Sequence, residues 1–139
     1  MSVLLDTGLI FAYINGEDAR HAESAELMER IACREFGQPF VTDHVVDELF
    51  VLIRVRTGLP ALEESARRFL PMPTPALKGL AAVSLGTALL EPACEVFRKY
   101  RDQGLSFTDA GLIVTMREMR IDWLATLDGR LRGLVAGAV

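Results

Sequence analysis

Cysteine is scarce in this sequence: Cys33 and Cys94 are the only two, neither in a close pair nor beside a histidine cluster. That argues against a disulfide-stapled scaffold and against a zinc site of Cys/His spacing, and it reads both thiols as reduced core residues of a cytosolic protein. Long apolar runs are missing as well. Asp, Arg, Pro or Gly interrupts every stretch before the ~18 residues of a membrane span. The N-terminus has no basic segment and carries Asp6 inside its apolar run, so it does not read as a secretion signal. An excess of positive charge is absent too: 15 Lys and Arg stand against 19 Asp and Glu, for a net charge of −4. A protein that coats nucleic acid non-specifically would be basic. An enzyme that meets nucleic acid at one spot is still allowed, because bound cations invert the local charge of an acidic site.

What is present is apolar. Half of the 139 residues are hydrophobic, and the mean hydropathy is +0.25. The excess reads as surface covered by self-association or by a partner, and leftover apolar segments such as "FVLI" and "LVAGAV" predict a homodimer. The length suits one domain with one core, so residues 1–139 are expected to form a single domain.

Along the chain, Val3-Leu4-Leu5 reads as a short buried strand, followed after Asp6-Thr7 by an apolar helical segment ending near Asn15-Gly16. A helix is predicted from Glu17 to about Arg34, with Ala22, Ala25, Leu27, Met28, Ile31 and Ala32 as its apolar face. Phe40-Val41-Thr42 is a second strand, and Thr42 or Asp43 caps a helix running to about Arg56 with Gly58 beyond its end. Pro60 opens a helix to Leu70, and "PMPTP" at 71–75 is the only linker-like stretch. A third strand falls within 79–85, helices occupy 91–101 and 107–119, and Trp123 to Leu127 is the last strand. Strands separated by helices pair in parallel through right-handed crossovers, so the expected fold is α/β: a mainly parallel sheet of four or five strands with helices on both faces.

Ligands of such sheets bind beyond the carboxyl ends of the strands. Asp6 follows the first strand and Asp128 the last, so both point to one edge of the sheet, although either could simply cap the helix after it. Asp109, in "SFTDAG", can serve as the carboxylate of a capping box with Ser106, and from the first turn of its helix it also faces that edge. Glu48 lies in "HVVDELFVLI" with Val45, Val51 and Leu52 as helical neighbours. A carboxylate beside an apolar stripe is costly unless a cation compensates it or it reaches water at the rim. Asp47 lies round the helix from Glu48, on the solvent side or behind the site. Four acids gathered at one edge would repel and raise one another's pKa unless a hard divalent ion, Mg²⁺ or Mn²⁺, held them. Such an ion can deprotonate a water for attack on a phosphodiester.

The series "LLDTGLIFAYIN", "VTDHVVDELFVLI", "LSFTDAGLIV" and "WLATLD" resembles the PIN-domain family, especially the VapC-type toxins of toxin–antitoxin pairs, from Val3 to about Arg130, with a loose match over 72–90. The resemblance implies an α/β/α sandwich and a metal-dependent endoribonuclease acting on RNA in the cytoplasm. It implies Asp6, Glu48, Asp109 and Asp128 as the catalytic, metal-binding acids. Thr126 and Ser106 match hydroxyls found near that site, and Thr7 is grouped with them as a support for the acids or a substrate contact. His21, in "DARH", is read as structural. The resemblance also implies a small antitoxin partner. An Arg of that partner could pair with the carboxylates in the metal's place. An apolar partner helix could enter a groove beside the helices at 7–14 and 43–56.

Other readings fit less well. Asp-Thr-Gly is the catalytic triplet of aspartic proteases, but those use two facing copies on an all-β scaffold, and here one copy precedes a helical pattern. A phosphatase of the haloacid-dehalogenase type needs a second Asp two residues on, where this chain has Gly8. A housekeeping ribonuclease and a catalytically inactive binding module stay open. Arg54, Arg56, Arg117, Arg120, Arg130 and Arg132 are candidates for contact with RNA phosphates or, for the first two, with a partner's carboxylates; solvated surface is the plain alternative.

Overall fold

The computed structural model describes residues 1–72 and 75–139, so the linker reading of 71–75 lies partly outside the described residues. Four strands, β1 (Ser2–Leu5), β2 (Gln38–Thr42), β3 (Ala81–Val83) and β4 (Trp123–Ala125), form one sheet in the order β3-β2-β1-β4. All three pairings are parallel, with Leu4 in register with Phe40 on one side and Leu124 on the other. The central strand β1 is covered on both faces: Val3, Leu4 and Leu5 are fully buried.

The connections set the layers. Helices α1 (Thr7–Ile14) and α2 (His21–Ala32) join β1 to β2, and α3 (Asp43–Arg56) and α4 (Pro60–Phe69) join β2 to β3. These two crossovers step the same way along the sheet, so right-handedness puts their helices on one face. The third connection returns over β2 and β1 to β4, which puts α5 (Leu90–Lys99) and α6 (Phe107–Met119) on the other face. Within the layers α1 packs on α2 and α3, α3 on α4, and α5 on α6. The fold is therefore an α/β/α sandwich. Helices α1, α3 and α6 all begin at the carboxyl edge of the sheet, where His44 of α3 meets Phe107 of α6 with ring centroids 6.0 Å apart. Among the described residues no helix is long and apolar enough to cross a membrane.

Several elements differ from the sequence reading. The helix expected from Glu17 starts at His21, because Asn15 and Asp18 divert the chain into side-chain turns: Asn15 Oδ1 accepts from Glu17 N–H at 3.2 Å and Asp18 Oδ1 from Arg20 N–H at 2.8 Å. Its buried face is Ser24, Leu27, Met28 and Ile31, while Ala22 and Ala32 are exposed. Alanine satisfies an apolar pattern but loses little by facing water. The last strand stops at Ala125 rather than Leu127. Beyond it the chain turns through α7 (Gly129–Arg132), and the C-terminal residues return to the free edge of β4. Leu124 N–H donates to Gly137 O and Val139 N–H to Leu124 O, both at 2.9 Å, an isolated parallel bridge rather than a fifth strand. Neither cysteine is a core residue: both are free and exposed. Cys33 caps α2 beyond its last buried residue, Ile31, and Cys94 lies on the outer side of α5, whose Ala93 and Val96 face inward.

Candidate active site

Adjacent strands β1 and β4 part at the carboxyl edge, since the chain leaves β1 toward β2 and leaves β4 toward the opposite side. Crevices of open α/β sheets form at such a reversal. An open cleft of about 590 Å³ lies here, and Asp6, Glu48, Asp109 and Asp128 all line it.

Asp6 directly follows β1 and caps α1. Its Oδ1 accepts the Thr7 N–H at 2.7 Å and its Oδ2 accepts the Thr126 hydroxyl at 2.6 Å. Burial pushes the carboxyl up from its ordinary 3.8 to about 7; the charges of Asp109 and Glu48 add to this, and the Thr126 and Thr7 bonds oppose it. Asp109 is the third residue of α6 and completes a reciprocal capping box. Its Oδ2 accepts the Ser106 N–H at 2.8 Å while Ser106 Oγ accepts the Asp109 N–H at 3.0 Å. Its carboxyl is also raised, chiefly by burial, with Glu48 and Asp128 contributing and the Ser106 bonds opposing. Helix cap and site residue are one and the same carboxylate.

Glu48 projects from α3 and is half-buried. Its expected apolar surroundings are only partly present: Val45 is buried and Leu52 half-buried, but Val51 is 52 % exposed. Glu48 therefore sits where the core meets the cleft, and Asp47 is exposed as expected. Asp128 caps α7 and differs from the other three acids in having an internal cation. Arg130 Nη2 stands 2.6 Å from its Oδ2 and holds the carboxyl below its usual range.

Thr126 ties the two strand ends together. Its hydroxyl donates to Asp6 and accepts the Asp128 N–H at 3.0 Å. Thr126 and Thr7 are both buried, at 0 % and 1 % exposure, which leaves them no direct route to a substrate. Thr7 Oγ1 has no hydrogen-bond partner among the described residues. Ser106 lines the cleft. His21 is structural: its Nδ1 lies 2.9 Å from the Ala12 carbonyl.

Among the basic candidates, Arg56 and Arg130 line the cleft. Arg132 donates to the Thr126 carbonyl at 2.9 Å, and Arg54 pairs with Glu63 at 2.7 Å. Arg117 and Arg120 belong to the far end of α6, away from this edge. The sequence reading missed Arg20, which also lines the cleft, pairs with Glu23 and donates to the Leu127 carbonyl at 2.5 Å. Its only sequence signal was the "DARH" stretch, where the neighbouring histidine is the more distinctive residue.

The acids share a cleft, and neighbouring acidic charges help to raise Asp6 and Asp109, yet among the described residues no three His, Cys, Asp or Glu side chains form a group that could hold an ion. The expected convergence of oxygens to ligating range is thus not met in this arrangement. Like charges repel, and each of Asp6, Asp109 and Asp128 is held by donors of its own. The donor chemistry nonetheless suits a hard divalent cation. All four groups are carboxylates. The carboxyls of Asp6 and Asp109 are raised in pKa by burial and by neighbouring acids, the condition that a cation relieves.

The PIN domain matches this chain over residues 3–135. A VapC ribonuclease of Archaeoglobus fulgidus is 28% identical over 131 residues, covering 94% of this chain and 79% of its own length. Ribonuclease VapC26 of Mycobacterium tuberculosis is 29% identical over 130 residues, covering 92% and 87%. Among solved structures, Mycobacterium tuberculosis VapC20, a sarcin-ricin loop cleaving toxin, is similar with a TM-score of 0.77 at 22% identity, over 95% of this chain and 94% of that one. VapBC2 of Rickettsia felis, bound to a DNA fragment from its promoter, has a TM-score of 0.66 at 14% identity, over 99% and 96%. At these identities the solved structures bear on the fold.

Proposed function

The chain belongs to the PIN-domain family and is a ribonuclease of the VapC toxin type; from that premise we propose that it hydrolyses RNA phosphodiesters with Mg²⁺ or Mn²⁺ held by Asp6, Glu48, Asp109 and Asp128. The observation that carries this reading is the shared cleft, to which β1, α3, α6 and the turn after β4 each bring one carboxylate. A divalent cation bound there would lower the pKa of water and offset negative charge on a phosphate.

The chain's own residues do the rest. Thr126 and the Thr7 N–H fix the Asp6 carboxylate from behind, so its oxygens keep one orientation. The Ser106 capping box does the same for Asp109. Because Asp6 titrates near neutrality, cation binding displaces a proton from part of the population at pH 7. Arg20 and Arg56 stand in the wall of the cleft as cations that can meet RNA phosphates.

The described residues act as one nuclease domain, form a homodimer, and work in the cytoplasm under a small antitoxin. Support for a covered surface comes from Val51, Val55 and Leu59, which are 52 %, 76 % and 53 % exposed along and just beyond α3. An arginine of the antitoxin could pair with the carboxylates two-pronged, as Arg130 already does within the chain.

Incubation of the purified protein with total RNA tests the reading. Cleavage in Mg²⁺ or Mn²⁺ that stops on chelation is the expected result. RNA that is bound but never cut would favour an inactive binding module.

A further inference from the structure

Arg20 and Arg130 each line the cleft with all three guanidinium nitrogens engaged, but Arg20 is held by Glu23 and the Leu127 carbonyl, whereas Arg130 is held by one of the four acids. Nε lies 3.1 and 3.2 Å from the two oxygens of Asp128, and Nη2 lies 2.6 Å from Oδ2. Nη1 donates to the carbonyls of Gln103 and Gly104 at 3.2 and 2.9 Å. Gly104 has φ of +66°, the left-handed conformation that ends the turn at 101–103, ahead of the Ser106 cap of α6. The arginine thus rests between the loop that leads to Asp109 and the carboxylate of Asp128.

Three features mark this as a resting place rather than a permanent clamp. The pair is at the rim: the Arg130 and Asp128 side chains are 49% and 26% exposed. An ion pair so open to water contributes little to stability, so its exchange costs little. Asp128 also has anchors independent of the guanidinium, accepting the Arg130 backbone N–H at 2.9 Å and donating its own N–H to Thr126. Its position survives if the arginine side chain leaves. Finally, the planar fork that fits a carboxylate fits a phosphate equally well.

We propose that Arg130 is a substrate-binding residue parked on Asp128, which it leaves for an RNA phosphate, so that RNA binding frees the Asp128 carboxylate. The proposal rests on the ribonuclease reading for its ligand, but its mechanism is a competition between two anions for one guanidinium. In the free protein Asp128 is paired with a cation and, among the described residues, the other three acids are not. The arrival of a phosphate next to Arg130 reverses this, and the fourth acid becomes available only with substrate in place.

A double-mutant cycle tests it by affinity, without turnover. Binding of a short single-stranded RNA is measured in chelator at low salt for wild type, Asp128→Asn, Arg130→Gln and the double variant, with melting curves to confirm folding. Asparagine still caps a helix, so Asp128→Asn removes the competitor and not the turn. The expected result is tighter RNA binding by Asp128→Asn, about tenfold weaker binding by Arg130→Gln, and no gain from Asp128→Asn once Arg130 is gone. Arg130→Lys recovers part of the loss as a point charge. A gain of equal size in both backgrounds would reduce Asp128 to general repulsion of RNA and overturn the proposal. So would the absence of any gain, or of any binding by the wild type. Cleavage by the wild type in Mn²⁺ is scored separately. If the cycle holds and cleavage is absent, the ribonuclease reading fails and the exchange of Arg130 stands.

Discussion

At the scale of single residues, the buried acid Asp6 shows how a site is built against stability. Its carboxyl titrates near 7 in the fold and near 3.8 when free. A raised acid favours the folded state while the folded group stays protonated. This stabilisation is complete below about pH 4 and is lost as pH rises through about 7. In chelator the protein should therefore be less stable at pH 8 than at pH 5.5, by about 2 kcal/mol from this group. Asp109, raised for the same reason, acts in the same direction, and Asp128, lowered by Arg130, opposes it only at more acidic pH. Asp6→Asn should flatten the profile and melt above wild type at pH 8, read by circular dichroism; a steeper profile in the variant would contradict this origin. The shared position of the four acids was legible in the sequence because a carboxylate at a strand end or beside an apolar stripe conflicts with its apolar surroundings, even where it also caps a helix. Arg20 was not legible, since an arginine among polar residues carries no such conflict. Val51 misled for a related reason: helical spacing shows which residues share a face, and not how far that face is covered.

At the scale of elements, Thr126 couples β1 to the turn after β4. Thr126→Val keeps the shape but removes the donor to Asp6 and the acceptor of the Asp128 N–H. It should cost roughly 1–3 kcal/mol in urea unfolding and lower cleavage through misplacement of Asp6. Unchanged stability would mean that the two bonds contribute nothing. The capping box of α6 teaches a second lesson. Capping and function compete as explanations of Asp109 in the sequence, yet in the structure the cap is what orients the carboxylate. Helix α6 fell at 107–119 in both sequence and structure because its cap and long apolar run agree. Helix α2 did not, since Asn15 and Asp18 form local turns that periodicity cannot register. The pairing of the C-terminal residues with β4 was hidden for another reason: an edge partner is chosen by three-dimensional proximity, and "LVAGAV" carries no signal of register.

At the scale of the whole molecule, parallel pairing followed from strands alternating with helices, whereas the strand order β3-β2-β1-β4 did not. That order places the reversal between β1 and β4, and so brings residues 6 and 128 together from opposite ends of the chain. The exposed valines of α3 lead to a prediction at this scale: light scattering at tens of micromolar should give the mass of a dimer, and a monomer would contradict it. Expression alone should arrest growth of the native host, and co-expression with a neighbouring small open reading frame should restore it. Growth unaffected by active protein alone would instead point to a housekeeping ribonuclease. We propose that the four acids form one metal-dependent centre for cutting RNA. It is tested most directly by cleavage of a labelled RNA in Mn²⁺ by wild type, Asp6→Asn and Asp109→Asn, with melting curves run on the same samples. Cutting by the wild type that chelation abolishes is expected, with loss by orders of magnitude in both variants while they remain folded; undiminished cutting by both variants would overturn the four-acid metal centre.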